Sequence, residues 1–371
     1  MIKTNTDRLE ERRETGLMRS LVDKGHLVDF CSNDYLGLAR ADAFKQLIQQ
    51  KLQKLEMVNI GSTGSRLISG NLTYTEQLEQ KIADFHEAET GLLFNSGYDA
   101  NVGVFASLAR RGDTVITDEL IHASIIDGVR LTHAKRLRFR HNNLSDLEKK
   151  LRLAEGNIFV GVESVYSMDG DVAPLKQIAA LCEQYNAHLI VDEAHATGVL
   201  GNKGEGLVQI EHLQSQVLAR VHTFGKAVGT HGAIVLGSNQ LRDYLINFAR
   251  SFVYTTALPV HSLVTIEAAY ELFPEFQQER QHLHNLIHIF QETLGKSARY
   301  EILPSQSPIQ GVIVPGNANA KALSQTIEKA GFYVKAILSP TVPAGQERLR
   351  ICLHAFNTEA QLNQLIQIIN S

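Results

Sequence analysis

The run His188-Leu-Ile-Val-Asp-Glu-Ala-His-Ala-Thr-Gly198 joins a short apolar strand to a polar loop led by a carboxylate. Downstream, Arg220-Val-His-Thr-Phe-Gly-Lys226 makes the same transition and ends on a lysine. Neither strand shows strict alternation of polar and apolar residues, which is the pattern of strands buried on both faces. The same unit recurs to either side with helices between. Helices are expected at Tyr74–Glu87, Asn101–Arg110, Ala123–Thr132, Ser145–Ala154 and Leu175–Tyr185. Strands follow them at Gly91–Phe94, Thr114–Thr117, Arg136–Arg140, Ile158–Glu163 and His188–Asp192. Strand after helix at this spacing predicts a mostly parallel sheet covered on both sides. Two closer strands, Arg220–Phe224 and Ala233–Leu236, follow, and three helical stretches fill 239–294.

The ends read differently. A charged helix over 2–22 is expected, with a small apolar face of Leu9, Leu17 and Leu21, then an extended piece from His26 to Ser32. The C-terminal part suggests strands near 300–303, 310–314, 333–337 and 348–353 and helices near 318–330 and 358–370. The expected organisation is an N-terminal helix and extended segment (1–45), a large α/β domain with a mostly parallel sheet (46–272) and a smaller C-terminal α/β domain (273–371).

Composition narrows the function. The chain has 371 residues, 44% hydrophobic and 20% charged, which excludes a disordered chain lacking apolar surface to bury. Lys and Arg number 36 against 40 Asp and Glu, a net charge of −4, so no strong basic field exists for nucleic acid or an anionic membrane. The three cysteines, Cys31, Cys182 and Cys352, form no paired motif, so neither a disulfide frame nor a metal site is expected. The first residues carry no signal-peptide pattern, and no stretch has the ~20 apolar residues of a membrane span. A cytoplasmic protein is expected.

Ligands of open α/β sheets sit beyond the carboxyl ends of the strands. Those ends carry Asn95-Ser-Gly-Tyr98, Asp118 with His122-Ala-Ser124, Ser164-Val-Tyr-Ser-Met-Asp-Gly170, Asp192-Glu-Ala-His195 and Gly225-Lys226. One sheet edge thus collects a Gly-led turn opening a helix, two histidines, a hydroxyl, a carboxylate and a lysine. Pyridoxal phosphate (PLP) explains that inventory. Its aldehyde needs a lysine amine, Lys226; its ring nitrogen needs a carboxylate, Asp192; its phosphate suits backbone N–H groups at a helix start, as at Ser96-Gly97-Tyr98.

The ordered motifs resemble the α-oxoamine synthase family, built on the fold-type I, aspartate-aminotransferase-like PLP transferase fold. They are Ser32-Asn-Asp-Tyr-Leu-Gly-Leu38, Gly61-Ser-Thr-Gly-Ser-Arg66, Ser69-Gly70, Asn95–Tyr98, His122–Ser124, Tyr166-Ser-Met-Asp-Gly170, Asp192-Glu-Ala-His-Ala-Thr-Gly198, Thr223–Lys226 and Arg348-Leu-Arg350. The resemblance implies roles. Lys226 carries the cofactor and moves the Cα proton. Asp192 meets the ring nitrogen, His195 the ring oxygen with Ser167 close by, and His122 stacks on the ring. Gly97, Tyr98 and Thr223 hold the phosphate, with Thr256 added by a second subunit of a homodimer. Asn33 and Arg350 clamp the amino-acid carboxylate, and Arg19 faces the acyl substrate. Arg348, alternating with Arg350 along one strand, is expected to hold a structural ion pair.

The implied reaction joins an amino acid to an acyl thioester, on coenzyme A or an acyl-carrier protein, with loss of CO₂. The likeness is strongest to the biotin-pathway branch, so L-alanine and a pimeloyl thioester are the expected substrates. Ser65 stands where a glycine-using branch carries threonine, leaving room for a methyl on Cα. Glycine- and serine-using branches are the alternatives, and a catalytically inactive binding relative is the remote one. Asn357-Thr358 and Thr75 depart from the family pattern, which often has histidine at 357 and 75. Asp192-Glu-Ala-His195 also spells a helicase box, but the phosphate loop such an ATPase needs upstream is missing. No G-x-G-x-x-G follows the first strand, which excludes a dehydrogenase of that type.

Overall fold

The computed structural model describes residues 3–55, 59–296 and 299–371. The strands are β1 (Val28–Asp29), β2 (Thr90–Phe94), β3 (Thr114–Asp118), β4 (Lys135–Phe139), β5 (Ile158–Glu163) and β6 (Ala187–Asp192). They continue with β7 (Val217–Thr223), β8 (Ala233–Gly237), β9 (Ile309–Ile313), β10 (Phe332–Tyr333), β11 (Lys335–Ile337) and β12 (Arg348–Cys352). Seven of them form one sheet in the order β2-β8-β7-β6-β5-β3-β4. Only β8 runs against its neighbours, which the short link Phe224–Gly232 permits. The central strands are buried along nearly their whole length, as their uninterrupted apolar runs require.

Helices cover both faces of this sheet and build two separate cores. One centres on Val104, Phe105, Ile125 and Val235, the other on Ile116, Val160, Leu175 and Leu189. A third core joins Phe30, Tyr35 and Leu36 to Leu78, Ile266, Leu286, Val312, Leu349 and Leu365. That core packs the second, antiparallel sheet, β11-β12-β9, against the rest of the chain. The packing matters for function because β12 carries Arg350 and the segment after β1 carries Asn33.

Four differences from the sequence expectations have local causes. The N-terminal helix spans Lys3–Glu14 rather than 2–22 (residue 2 lies outside the described residues). It stops at Gly16, which adopts φ +66°, so Leu17 and Leu21 lie beyond it. Helix Asp42–Lys54 was not expected; Phe44 is its one buried side chain, so its apolar stripe is thin. The strand expected over 300–303 reduces to one bridge, Ile302 with Val312, ahead of Pro304. The strand expected over 333–337 breaks at Val334 into β10 and β11, which pair with β1 and β12 respectively.

The two departures from the family pattern are built into this packing. Asn357 is buried, accepts from the His354 backbone N–H and donates to the Asp29 carbonyl. Thr358 caps helix Glu359–Asn370 in a reciprocal capping box with Gln361. Thr75 is buried in helix Thr73–Phe85. Replacing Thr358 by Ala leaves the Gln361 N–H without its cap and is expected to lower stability by about 1 kcal/mol, read as a shift in the urea midpoint.

Candidate active site

The carboxyl ends of β5, β6 and β7 open into a cavity of about 210 Å³ lined by Asn33, Gly97, His122, Asp192, Thr223 and Lys226, among others. Lys226 is half-buried, and desolvation of its amine pushes the pKa down to about 8, against an opposing pull from Asp192. Its Nζ lies 2.7 Å from His195 Nε2. His195 Nδ1 meets the Tyr35 hydroxyl at 2.8 Å, and that hydroxyl donates to Asn33 Oδ1 at 3.1 Å. Burial and the neighbouring Lys226 hold the His195 imidazole well below its usual range, so it is neutral.

A second chain of contacts fixes the carboxylate. Asp192 Oδ2 accepts from Asn101 Nδ2 at 2.7 Å and Oδ1 from the Ala194 N–H at 2.9 Å. The Asn101 amide also donates to Ser124 Oγ (3.0 Å), which contacts His122 Nδ1 at 2.7 Å. His122 Nδ1 further accepts from the Ser124 N–H, capping helix Ala123–Arg130. Burial lowers the pKa of His122, and Lys226 adds to that. One buried amide therefore ties the Asp192 loop to the His122 loop.

The third group comes from the smaller sheet. Arg350 donates from Nε to the Ser167 carbonyl at 2.7 Å and from NH2 to Asn33 Oδ1 at 3.1 Å. A guanidinium held at two nitrogens has its plane fixed, which suits a carboxylate. Arg348, one pleat away, pairs with Asp169.

The residues present fit PLP. Thr223 Oγ1 is buried and has no hydrogen-bond partner, an oddity unless a ligand takes it. Gly97 opens helix Gly97–Leu108, whose N-terminal N–H groups favour an anion. A Cβ on Gly97 would lie 2.3 Å from Thr223 Cγ2, so the cradle between them closes if Gly97 gains a side chain. Tyr98 itself is half-exposed and its hydroxyl donates to Asp127.

Three of the expected residues lie elsewhere. Arg19 is exposed in the segment after the N-terminal helix. Ser65 and Thr256 do not line the Lys226 cavity but belong together: the Ala257 N–H donates to the Gly64 carbonyl at 3.0 Å, and Ser62 Oγ to the Leu258 carbonyl at 2.7 Å. Ser167 reaches the site through its carbonyl. Sequence reasoning did not assign roles to Asn101, Tyr35 or Glu163; all three are buried, Asn101 and Glu163 line the cavity, and Tyr35 contacts His195. An amide in an otherwise apolar helix, as Asn101 is, was the available signal.

His141 ties the end of β3 to the segment that follows β5. Nδ1 lies 2.9 Å from Asp118 and Nε2 2.7 Å from Asp171, on the hairpin that carries Ser167.

Residues 25–369 match the family described as aminotransferase class I and II. The chain is 44% identical over 392 residues to the 8-amino-7-oxononanoate synthase of Emericella nidulans, covering 99% of this chain and 93% of that protein. It superposes on the serine palmitoyltransferase of Sphingomonas wittichii with TM-score 0.90 at 30% identity, covering 100% and 97% of the two chains. The 8-amino-7-oxononanoate synthase structure from Francisella tularensis gives TM-score 0.81 at 31% identity, covering 93% and 97%. The chain belongs to the aminotransferase class I and II family, and its resemblance to the α-oxoamine synthases within that family is borne out. The expected fold and the acyltransferase enzyme class are borne out with it, and relatives of this kind are PLP-dependent.

The His141 cluster yields a stability prediction. Burial opposes its charge, but the two carboxylates outweigh it and raise its pKa to about 10. A raised folded-state pKa contributes stability that is complete below the unfolded value of ~6.5 and is lost as pH rises through about 10. His141→Gln is expected to cost about 1–3 kcal/mol at pH 7, discounted for partial exposure, and to flatten the fall between pH 6.5 and 10. Urea unfolding at pH 6, 8 and 10 measures both effects.

Proposed function

We propose that this chain binds PLP and condenses L-alanine with a pimeloyl thioester, releasing CO₂ and giving 8-amino-7-oxononanoate for biotin biosynthesis. The observation that carries this reading is the convergence of Lys226, Asp192 and His122 on one cavity in a chain 44% identical, almost end to end, to a protein named for that product. The cofactor would be held by Lys226, Asp192, His122, His195 and Thr223 and by backbone N–H groups at Gly97 and Tyr98. When bound, PLP supplies a place for the negative charge left on Cα. The chain's own residues do the rest. Lys226, its amine made less basic by burial, takes the Cα proton and returns it. Arg350 and Asn33 hold the amino-acid carboxylate in the plane set by the Ser167 carbonyl. His122 polarises the carbonyl of the β-keto acid as CO₂ leaves.

The same reading places the enzyme in the cytoplasm as a homodimer with a shared site. Ser65 and Thr256 form one surface unit outside the cavity of their own chain. In a dimer that unit serves the other copy, Thr256 at the phosphate and Ser65 beside the substrate side chain. Arg19 faces the acyl chain.

A second reading, serine with a long-chain acyl thioester, is favoured by the higher TM-score to the serine palmitoyltransferase. An assay offering glycine, alanine and serine against pimeloyl, succinyl, acetyl and palmitoyl thioesters separates them. Alanine with pimeloyl is expected to lead; serine with palmitoyl leading would overturn the choice of substrates. Lys226→Ala is expected to lose about 10²–10⁴-fold in turnover and to retain no PLP after borohydride reduction, read by intact mass. Mixing inactive Lys226→Ala with an inactive Thr256→Trp variant is expected to restore up to one working site per heterodimer. No recovery after verified subunit exchange refutes the shared site.

A further inference from the structure

Glu163 ends β5 and is the register partner of Asp192 on β6. Parallel neighbours lie roughly 4.8 Å apart and project registered side chains to the same face. Both side chains line the Lys226 cavity. Glu163 is 2% exposed and Asp192 4%. Asp192 spends both oxygens, on Asn101 and the Ala194 N–H. Glu163 Oε1 is buried and has no partner.

Two carboxylates so placed cannot both ionise cheaply beside one lysine. The hydrogen bonds decide which of them keeps its charge. Asp192 accepts two N–H donors, which favour the anion, whereas one Glu163 oxygen accepts nothing. We propose that Glu163 is a positioning residue of this site: it holds the proton of the Glu163–Asp192 pair, so that the negative charge beside Lys226 belongs to Asp192. The groups facing it agree. Burial and Asp192 raise its pKa, Asp118 adds to that, and Lys226 and the His122 N–H oppose; the balance stands at about 8. The coupling is mutual, because an ionised Glu163 raises the pKa of Lys226. A neutral Glu163 therefore lets the Lys226 amine shed its proton nearer neutral pH, the form that attacks an aldehyde. The proposal rests on the reading that Lys226 carries PLP.

Two measurements test it. In protein without cofactor, a carboxyl with a raised folded-state pKa costs stability as pH climbs from its unfolded value to its folded one. The thermal midpoint of the wild type is therefore expected to fall relative to Glu163→Gln between about pH 4.5 and 8 and to run parallel above that. Curves parallel throughout would show Glu163 ionised like an ordinary carboxylate and overturn the proposal. Asp192→Asn provides the second variant. Removing the like charge is expected to lower the upper end of the fall by about one pH unit, its lower end being set by the unfolded chain; no movement also overturns it. The second measurement follows the rate of PLP attachment to Lys226 against pH, trapped with borohydride. Because the amide copies the protonated carboxyl, the midpoint in Glu163→Gln is expected within about half a unit of the wild type. A midpoint lower by about a unit or more would show Glu163 ionised beside Lys226 and overturn the proposal. Failure of the wild type to attach PLP at all removes the underlying reading, and the cofactor-free stability curves keep that outcome distinct from a failure of Glu163 itself.

Discussion

The hydrogen bond from Asn101 to Asp192 holds the site to the fold. Asn101 lies inside the helix that follows β2, and Asp192 ends β6, two strands removed from β2's neighbour β8. A buried amide with such a partner cannot be moved without leaving a carboxylate unsatisfied in a dry setting, a loss of roughly 1–3 kcal/mol or more. The same amide reaches Ser124 and through it His122. The helix start that suits a phosphate, the carboxylate and the imidazole therefore form one rigid body. Lys226 and His195 pair with each other beside it through a 2.7 Å contact.

Much of this was legible in the chain. The strands β2, β3, β5, β6 and β7 announce themselves because each is a short apolar run buried on both faces, and the residues just past their carboxyl ends are the ones that converge. Lys226, Asp192, His122, Gly97, Thr223 and Asn33 meet at one cavity. Asn101, Tyr35 and Glu163 were not legible as site residues. Their importance lies in partners 91, 160 and 29 positions away, and the one local mark is the Asn101 amide among apolar neighbours in its helix. Helix Asp42–Lys54 escaped because only Phe44 among its side chains is buried. The charged pattern of the N-terminal helix runs past Gly16, but the backbone there turns left-handed and the helix ends before it.

The electrostatics of the cavity follow from burial more than from any single pair. Desolvation is the largest influence on Lys226, His122, His195 and Glu163 alike. It makes the lysine less basic, keeps both imidazoles neutral and favours the acid form of Glu163. A sheet edge open to water does none of these things. The cavity walls, among them Asn33, Ala194 and Gly232, therefore contribute to the chemistry by excluding solvent.

The residues that do not converge are as informative as those that do. The Gly61–Gly70 segment and the Tyr254–Ala257 segment are stitched together by the Ala257 N–H and the Ser62 hydroxyl. A Cβ on Gly70 would strike the Gly64 carbonyl at 2.5 Å and Ala257 Cβ at 2.7 Å, so the two segments need glycine to lie this close. Arg66 adds a tether, donating to Glu79, which also accepts from the Leu93 N–H in edge strand β2. Ile60, Leu67, Ile68 and Tyr254 meanwhile stand exposed on this same unit. The dimer proposed above would account for this: there the unit would present Ser65 and Thr256 as a preformed wall to the cavity of a second copy, where ordering them in advance lowers the entropic cost of completing the site.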